Sequence, residues 1–519
     1  MNSQTRAGSG PPVPGFPGVV YQIYPRSFRD TSGDGVGDLE GIRRGLDHLS
    51  WLGVDAVWLS PIFPSPMADF GYDVADYCDV DEVFGSLQDL DRLIAEAHER
   101  GLEVWLDWVP NHTSDEHPWF VASRSSPDDP KRDWYLWRDP APDGGPPNNW
   151  IRHFAHEPAW TLDEDSGQYY LHQFLPQQPD VNWAEPGLRQ AMHDVLRFWM
   201  DRGVDGFRAD VVHLIGKDPA LPDDEGDWVG IPRAAFHHES VTHEHLRGIR
   251  AVLDEYPGPR RMVGEINLLD PREVASYVAD DQLHLAFHFG LLYVPWEAER
   301  VRATIAEVDA AFAEVGATPT WALGNHDNPR VRTRTGDEAA ARAAAMLLLT
   351  LRGTPFLYAG DELGLRDAEV GPGQVVDPGG RDGCRAPVPW TADPGHGWAG
   401  RPWLPWPPEP EESSLERQRS AQDSILHLHR RLLTARRDSA ALVRGDQQLL
   451  DLPGEVVAYR RSDGADERLV VVNFATDEVP VEVGPGWDVQ IASDGTGEGR
   501  GFTGRLGARQ AVLLEPSGP

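Results

Sequence analysis

The sequence predicts an α/β protein: a (β/α)8 barrel of the TIM type, with a domain inserted after the third strand and an antiparallel β-sandwich domain at the C-terminal end. Three observations carry that prediction. Short apolar runs alternate with amphipathic stretches through most of the 519 residues, the rhythm of parallel strands joined by right-handed crossovers. The rhythm breaks once, between Asn111 and Trp183. Near Leu442 it gives way to short β runs separated by Gly and Asp.

Each element follows from its residues. Positions 1–17 are Gly/Pro-rich without an apolar stretch and read as a flexible tail, not a secretion signal. Val19–Ile23 is the first strand. Ile42, Leu46, Leu49 and Leu52 keep helical spacing, and Ala56–Leu59 is the second strand. Leu90, Leu93, Ile94 and Ala97 mark the next helix, before strand Glu103–Val109. From Asn111 to Trp183, Pro, Asp, Trp and Tyr recur with no sustained period, and so long a stretch inside a domain is functional or separately folded. Helix Leu188–Met200 and strand Gly206–Asp210 resume the pattern. Strands follow at Arg261–Glu265, His284–Phe287, Thr320–Leu323 and Phe356–Tyr358. Eight parallel strands close a barrel that its own side chains fill. After Trp/Pro-rich Gly379–Pro408, Ile425, Leu428 and Leu432 mark a last helix; Val456–Tyr459, Leu469–Phe474 and Val481–Val483 are β runs. The expected domains are the barrel (18–110 and 184–438), the insertion (111–183) and the C-terminal β domain (439–519).

Composition narrows the function. Hydrophobic content of 40% and charged content of 25% are those of a folded protein. The 47 basic and 83 acidic residues give a net charge of −36, which repels phosphate backbones and anionic lipid, so neither a nucleic acid nor a membrane is an expected partner. No apolar run reaches the ~18 residues that span a bilayer. Cys78 and Cys384 are too few for a disulfide framework or a Cys-based zinc site, and a cytoplasmic location is expected. The 19 Trp residues suit core packing above sugar stacking.

In such a barrel the chemistry lies at the C-terminal ends of the strands. The fourth strand ends Gly206-Phe207-Arg208-Ala209-Asp210, with Arg208 and Asp210 on one face. A guanidinium beside a carboxylate keeps it ionised, which suits a nucleophile. The fifth ends at Glu265 after an apolar run, a setting for a general acid. The seventh runs into Asn325-His326-Asp327, the third into Asn111-His112, and Tyr72-Asp73 follow the second. Paired carboxylates at successive strand ends are the equipment of glycoside hydrolysis.

At these residues the chain resembles the α-amylase superfamily (glycoside hydrolase family 13), and within it the α-glucosidase and oligo-1,6-glucosidase branch. The likeness runs from about Gly18 to the C-terminus through YQIYPRSFRDTSGDGVGDLEGI, GYDVADY, DWVPNH, QPDVNW, GFRAD, GE, NHD and LRGTPFLYAGDELG. The resemblance implies Asp210 as nucleophile, Glu265 as general acid/base and Asp327 as transition-state stabiliser. It further implies that Tyr72, Asp73, His112, Arg208, His326 and Arg385 hold the terminal glucose, with Phe174 and Val211 as further substrate contacts. Val211 matches the valine common in 1,6-specific relatives, although that valine also occurs with 1,4 specificity. Asp73 with Arg385 is expected to close the far side of the pocket and impose exo-action on a small oligosaccharide or glucoside. Residues His153–Glu157 depart from the family pattern and are expected to reshape the site beyond the cleaved bond.

Asp30, Ser32, Asp34, Val36 and Asp38 occupy positions 1, 3, 5, 7 and 9 of a loop with Gly at position 6, which imitates a Ca²⁺ loop without its closing Glu. Relatives of this branch bind Ca²⁺ or Mg²⁺ there, so the resemblance implies a structural cation on these residues and no organic cofactor. The expected activity is that of a retaining exo-α-glucosidase. The in-class alternatives are an oligo-1,6-glucosidase or a glucosyl-transferring enzyme, and the alternative outside the class is a non-catalytic sugar-binding relative. Oligomeric state is not legible in the chain.

Overall fold

A computed structural model describes residues 16, 18–155, 157–224 and 239–518. Eight strands form one parallel sheet. They are β1 (Val20–Ile23), β2 (Ala56–Leu59), β3 (Glu103–Trp108), then, after three strands of the insertion, β7 (Gly206–Ala209), β8 (Arg261–Glu265), β9 (Leu285–Phe287), β10 (Thr320–Ala322) and β11 (Thr354–Tyr358). Their order is β10-β11-β1-β2-β3-β7-β8-β9. Between its two ends, the Thr320 hydroxyl of β10 donates to the Ala286 carbonyl of β9 at 2.7 Å. All eight lie within a residue or two of their expected places.

Strand parity sorts the side chains. Val20, Trp58, Trp105, Val263, Phe287 and Phe356 point inward and pack on one another. Their neighbours Tyr21, Val57, Leu59, Val104, Leu106, Phe207 and Met262 face the helices. Helix Leu39–Leu52 shows how the outer layer is built. Asp38 caps it by accepting from the Gly41 amide at 2.6 Å, Gly53 ends it at φ 102°, and Leu39, Ile42, Leu46 and Leu49 form its buried stripe. The helix Leu87–Glu99 starts on a Ser86–Asp89 capping box.

Residues 1–15 and 17 of the expected tail lie outside the described residues. Phe16 is buried instead, its ring tilted against Trp105 at 5.4 Å between ring centroids, with its carbonyl accepting from Thr354 at 2.5 Å. It closes the apolar N-terminal end of the barrel.

The aperiodic stretch after β3 folds around a small antiparallel sheet, β4 (Trp137–Arg138), β5 (Trp160–Asp163) and β6 (Gln168–Leu171), in the order β4-β6-β5. Phe120, Trp137 and Tyr170 fill it. The C-terminal strands are β12 (Asp446–Leu450), β13 (Val456–Asp463), β14 (Asp466–Asn473), β15 (Val479–Pro480), β16 (Trp487–Ala492), β17 (Arg505–Leu506) and β18 (Ala511–Pro516). Five form an antiparallel sheet, β12-β13-β14-β18-β16, and β15 pairs with β17. Alternation divides the larger sheet. Val457, Tyr459, Val470, Val472 and Leu513 join the barrel's core, whereas Val456, Leu469, Val471 and Leu514 pack with Val481 and Leu506 beside the two-stranded pair. Among the described residues no helix is long and apolar enough to cross a membrane.

Gly206 sits opposite Trp105 in the β3–β7 register. A Cβ there would lie 2.9 Å from two Trp105 ring atoms and from the Arg261 carbonyl, so the indole that fills the barrel floor requires glycine beside it. Gly206→Ala is expected to destabilise the protein by about 1–3 kcal/mol through overpacking, read as a lower denaturation midpoint. An unchanged midpoint refutes this account of the floor.

Candidate active site

Arg208 of β7 pairs in register with Asp107 of β3, and parity turns both into the barrel above its apolar floor. The Arg208 Nη1 donates to Asp107 at 2.8 Å and to Asp210 at 2.6 Å, and Nη2 donates to Glu265 at 2.6 Å. All four residues are buried. The rings of Trp58 and Tyr72 flank the guanidinium at 5.4 and 5.5 Å, where cation–π attraction adds to the ion pairs. One planar fork thus fixes three carboxylates from three strands.

Val211, next to Asp210, adopts φ 34° and ψ 40°. This left-handed turn is unfavourable for a β-branched residue, yet it brings the Val211 amide 3.1 Å from Glu265 Oε2. Asn267 donates to the other Glu265 oxygen at 3.3 Å. Burial raises the Asp107 carboxyl to about 6 against the pull of Arg208. Burial also raises Asp210 well above the usual carboxylate range, Arg208 opposes it, and Glu265 and Asp107 reinforce it. Three carboxylates facing one cation in a dry site hold a proton readily, and that proton belongs to the cluster.

The other wall is built around Asp327. Burial works against its charge, but His326 and the guanidiniums of Arg381 and Arg385 outweigh it and hold the carboxyl well below the usual range. Because burial also lowers the His326 imidazole to about 3, the two arginines keep Asp327 ionised at neutral pH. Arg381 donates to Asp327 at 3.0 Å and Arg385 at 3.1 Å. Gln22 donates to His326 Nδ1 at 2.7 Å, which leaves Nε2–H to meet the Tyr72 hydroxyl at 2.6 Å; that hydroxyl donates to Asp107 at 3.1 Å.

Asp210, Glu265 and Asp327 line one cavity of about 280 Å³, together with Asp69, Tyr72, His112 and Arg381. Phe154, Val211, Asn267, Phe289, Tyr293, Asn325, Asn328 and Gly379 also line it. Asp69 is 4% exposed, Phe154 39% and Tyr293 50%, so the aromatic end is the mouth and the Asp69 end is closed.

Two expected residues are replaced by neighbours. Asp73 does not face the cavity: its oxygens accept from the amides of Ala68 and Asp69 at 2.8 and 3.0 Å. Asp69 faces it instead and binds Arg381 at 2.5 Å. Arg385 is fully buried behind Asp327, donating to the His326 carbonyl at 2.7 Å and to Asp377 at 3.1 Å. The pair that closes the far side is therefore Asp69–Arg381, not Asp73–Arg385. Arg208 and His326 stand one layer behind the wall and act through the carboxylates and Tyr72. Phe174 is also set back, stacked on His153 at 4.7 Å and packed against His112 at 5.0 Å. Of the divergent stretch His153–Glu157, His156 lies outside the described residues. Trp105, Trp108, Trp150, Trp183, Trp199 and Trp321 are fully buried, and among the described residues no tryptophan lines the cavity.

The sequence reading missed Gln22, Asp69, Asp107, Gln178 and Arg381. Asp107 shares inward parity with Trp105, a usable signal. Gln178, which bridges Asp69 at 3.1 Å and His112 at 3.2 Å, lies in aperiodic sequence, where its only signal was its place at the head of QPDVNW.

In the loop Asp30–Asp38, Asp30 accepts from the amides of Gly33, Gly35 and Gly400, and Asp38 from those of Thr31, Ser32 and Gly41. Asp34 accepts from the Val36 amide at 2.8 Å. Among the described residues no three His, Cys, Asp or Glu side chains gather as a metal-ligand set. The Ser32 hydroxyl donates to Asp30 at 3.2 Å.

Residues 22–445 match the family model for the α-amylase catalytic domain. The chain belongs to the α-amylase family. It is 40% identical over 504 residues to a probable α-glucosidase of Rhizobium meliloti (strain 1021), covering 89% of this chain and 90% of that protein. It is 36% identical over 514 residues to an oligo-1,6-glucosidase of Parageobacillus thermoglucosidasius, with 89% and 90% covered. Among solved structures, the α-glucosyl transfer enzyme XgtA superposes with a TM-score of 0.89 at 40% identity, covering 96% of this chain and 99% of that one. The trehalulose synthase MutB of Pseudomonas mesoacidophila MX-45 superposes at 0.90 with 34% identity, covering 96% and 98%. The protein is a glycoside hydrolase of the α-glucosidase branch.

Asp107 supplies one of the negative charges that hold the cluster's proton. Asp107→Asn is expected to move the alkaline limb of the kcat/KM profile to lower pH by about one pH unit, since fewer charges retain the proton. A profile unchanged on both limbs contradicts a shared proton.

Proposed function

We propose that this site cleaves glucose from the non-reducing end of short α-glucosides with retention, by double displacement. One observation carries the reading: Asp210 and Glu265 hang from the two terminal nitrogens of a single guanidinium, both at 2.6 Å. An inverting pair stands ~6.5–9.5 Å apart to admit a water between carboxylate and sugar, whereas a retaining pair is ~5–5.5 Å apart. Sharing one fork favours the shorter separation.

In the proposed cycle Glu265 delivers its proton to the leaving oxygen while Asp210 attacks the anomeric carbon, forming a covalent glucosyl ester. Positive charge developing on the ring meets Asp327, which its two arginines keep ionised. Glu265 then takes a proton from water as that water attacks the anomeric carbon and frees Asp210. When a sugar hydroxyl takes the water's place, the same step transfers glucose. The Asp69–Arg381 pair supports exo-action, because a cavity closed at that end admits only a chain terminus. The names of the 1,6-glucosidases and of the transfer enzyme favour α-1,6 cleavage or glucosyl transfer as the second reading.

Proton NMR of early products is expected to show α-glucose before mutarotation, and maltotetraose is expected to yield glucose with maltotriose first. Asp210→Asn is expected to lower turnover at least ~10⁴-fold. Initial β-glucose overturns retention, and early mid-sized fragments overturn exo-action.

A structural Ca²⁺ or Mg²⁺ is also proposed on Asp30, Ser32, Asp34, the Val36 carbonyl and Asp38, where it would tie the β1 loop to the first barrel helix. Millimolar Ca²⁺ is expected to raise the melting temperature of chelator-treated protein, and Asp34→Ala is expected to remove that rise. An equal melting temperature with and without cation rejects the site.

A further inference from the structure

A second cavity, of about 190 Å³, lies apart from the catalytic one. It is bounded by the helices Gly290–Tyr293, Ala298–Glu314, Val331–Thr335 and Glu338–Thr350 and by Leu323 at the end of β10. Leu291, Val294, Val301, Leu323, Val331 and Leu347 supply its apolar walls. Among the described residues the two cavities share Tyr293 and no other, and the proposed cycle uses nothing of the second. A hollow lined in this way excludes water, and ~150 Å³ is already enough for a benzene ring.

Arg334 stands on its wall. Nε donates to the Pro329 carbonyl at 3.1 Å, Nη1 to that of Leu292 at 2.9 Å and Nη2 to that of Leu323. All three acceptors are neutral. Among the described residues Arg334 forms no ion pair: of the two acids whose charge reaches it, Asp361 is bound to Arg330 at 3.1 Å and Asp367 accepts from the Arg330 amide at 2.8 Å. A guanidinium carries five N–H groups, so one on each terminal nitrogen is left over. No Asp or Glu lines the cavity among the described residues. Trp296 lines it too, and its Nε1–H is buried without an acceptor among those residues. The Thr335 hydroxyl, by contrast, donates to the Val331 carbonyl at 2.9 Å. An unneutralised cation and an orphan donor beside a dry hollow call for an acceptor that carries negative charge.

We propose that this cavity binds a small monocarboxylate with an apolar body, such as a single aromatic ring. The body fills the space beside Val301 and Leu347, and the carboxylate takes the spare N–H groups of Arg334 and that of Trp296. A carboxylate suits a guanidinium because both are planar and their charges reinforce the hydrogen bonds. The chain's net charge of −36 opposes an anion from afar, but salt at physiological strength screens that repulsion beyond about 8 Å. The site holds whichever glycoside the catalytic cavity cleaves.

Isothermal titration calorimetry on the full chain tests it, with phenylacetate as the probe and 2-phenylacetamide as its neutral isostere. Phenylacetate is expected to bind with one molecule per chain and about ten-fold tighter than the amide, the factor of a charge-assisted contact. Arg334→Gln is expected to erase that difference. Since Arg334 also holds three carbonyls, two variants that leave it in place accompany it. Val294→Trp and Val331→Phe add bulk inside the cavity and are expected to weaken phenylacetate at least ten-fold, with circular dichroism unchanged. Equal affinity for acid and amide, no binding at millimolar phenylacetate, or wild-type affinity in either filled variant overturns the proposal.

Discussion

Three carboxylates from β3, β7 and β8 meet on the guanidinium of Arg208, and the rest of the active site is arranged around that meeting. Buried charges of one sign repel, and removing each from water is costly. A lysine would present a point charge to one or two of them, whereas the planar fork offers separate nitrogens in fixed directions. Two nitrogens serve three acids here because Asp107 and Asp210 share Nη1. The cluster keeps an excess of negative charge, so it retains a proton where an isolated carboxyl would lose it. Double displacement needs that state: one acid protonated, its neighbour ionised, both held beside the anomeric carbon.

The barrel makes such an arrangement affordable. Parity sends Val20, Trp105, Val263 and Phe356 into a dry floor that Phe16 closes from below. The next inward positions along β1, β3, β7 and β8, namely Gln22, Asp107, Arg208 and Glu265, form the polar layer above it. Chemistry therefore sits on backbone that hydrogen bonding to neighbouring strands makes rigid. The pieces that set access lie outside the strands: Asp69, Phe154 and Arg381 on loops and Tyr293 at the end of the short helix Gly290–Tyr293.

The same division explains what could be read from the chain. Strands and their inward faces were legible because apolar runs and alternation are local, and Arg208, Asp210 and Glu265 followed from them. Asp107 was equally legible by parity with Trp105 and opens DWVPNH, but the resemblance attached no role to it. On loops the logic fails. Asp69 and Asp73, like Arg381 and Arg385, lie four residues apart in sequence without a period, and only the folded turn decides which carboxylate caps amides and which faces the cavity. The sheet of the insertion was hidden for a related reason: its strands run two to four residues, too short for alternation to declare itself.

Arg381 joins the two halves of the design. It closes the pocket by binding Asp69 and keeps Asp327 ionised by donating to it, while Asp377 holds its remaining face. Pocket shape and part of the support for a reacting-face carboxylate thus meet in one side chain, carried by a loop after β11 and met by a loop after β2. If the wall loosened to admit longer chains, the same movement would withdraw a cation from Asp327 and raise its carboxyl toward the ordinary range. In this molecule selectivity for a chain end and stabilisation of the developing positive charge are not separable by a substitution at Arg381.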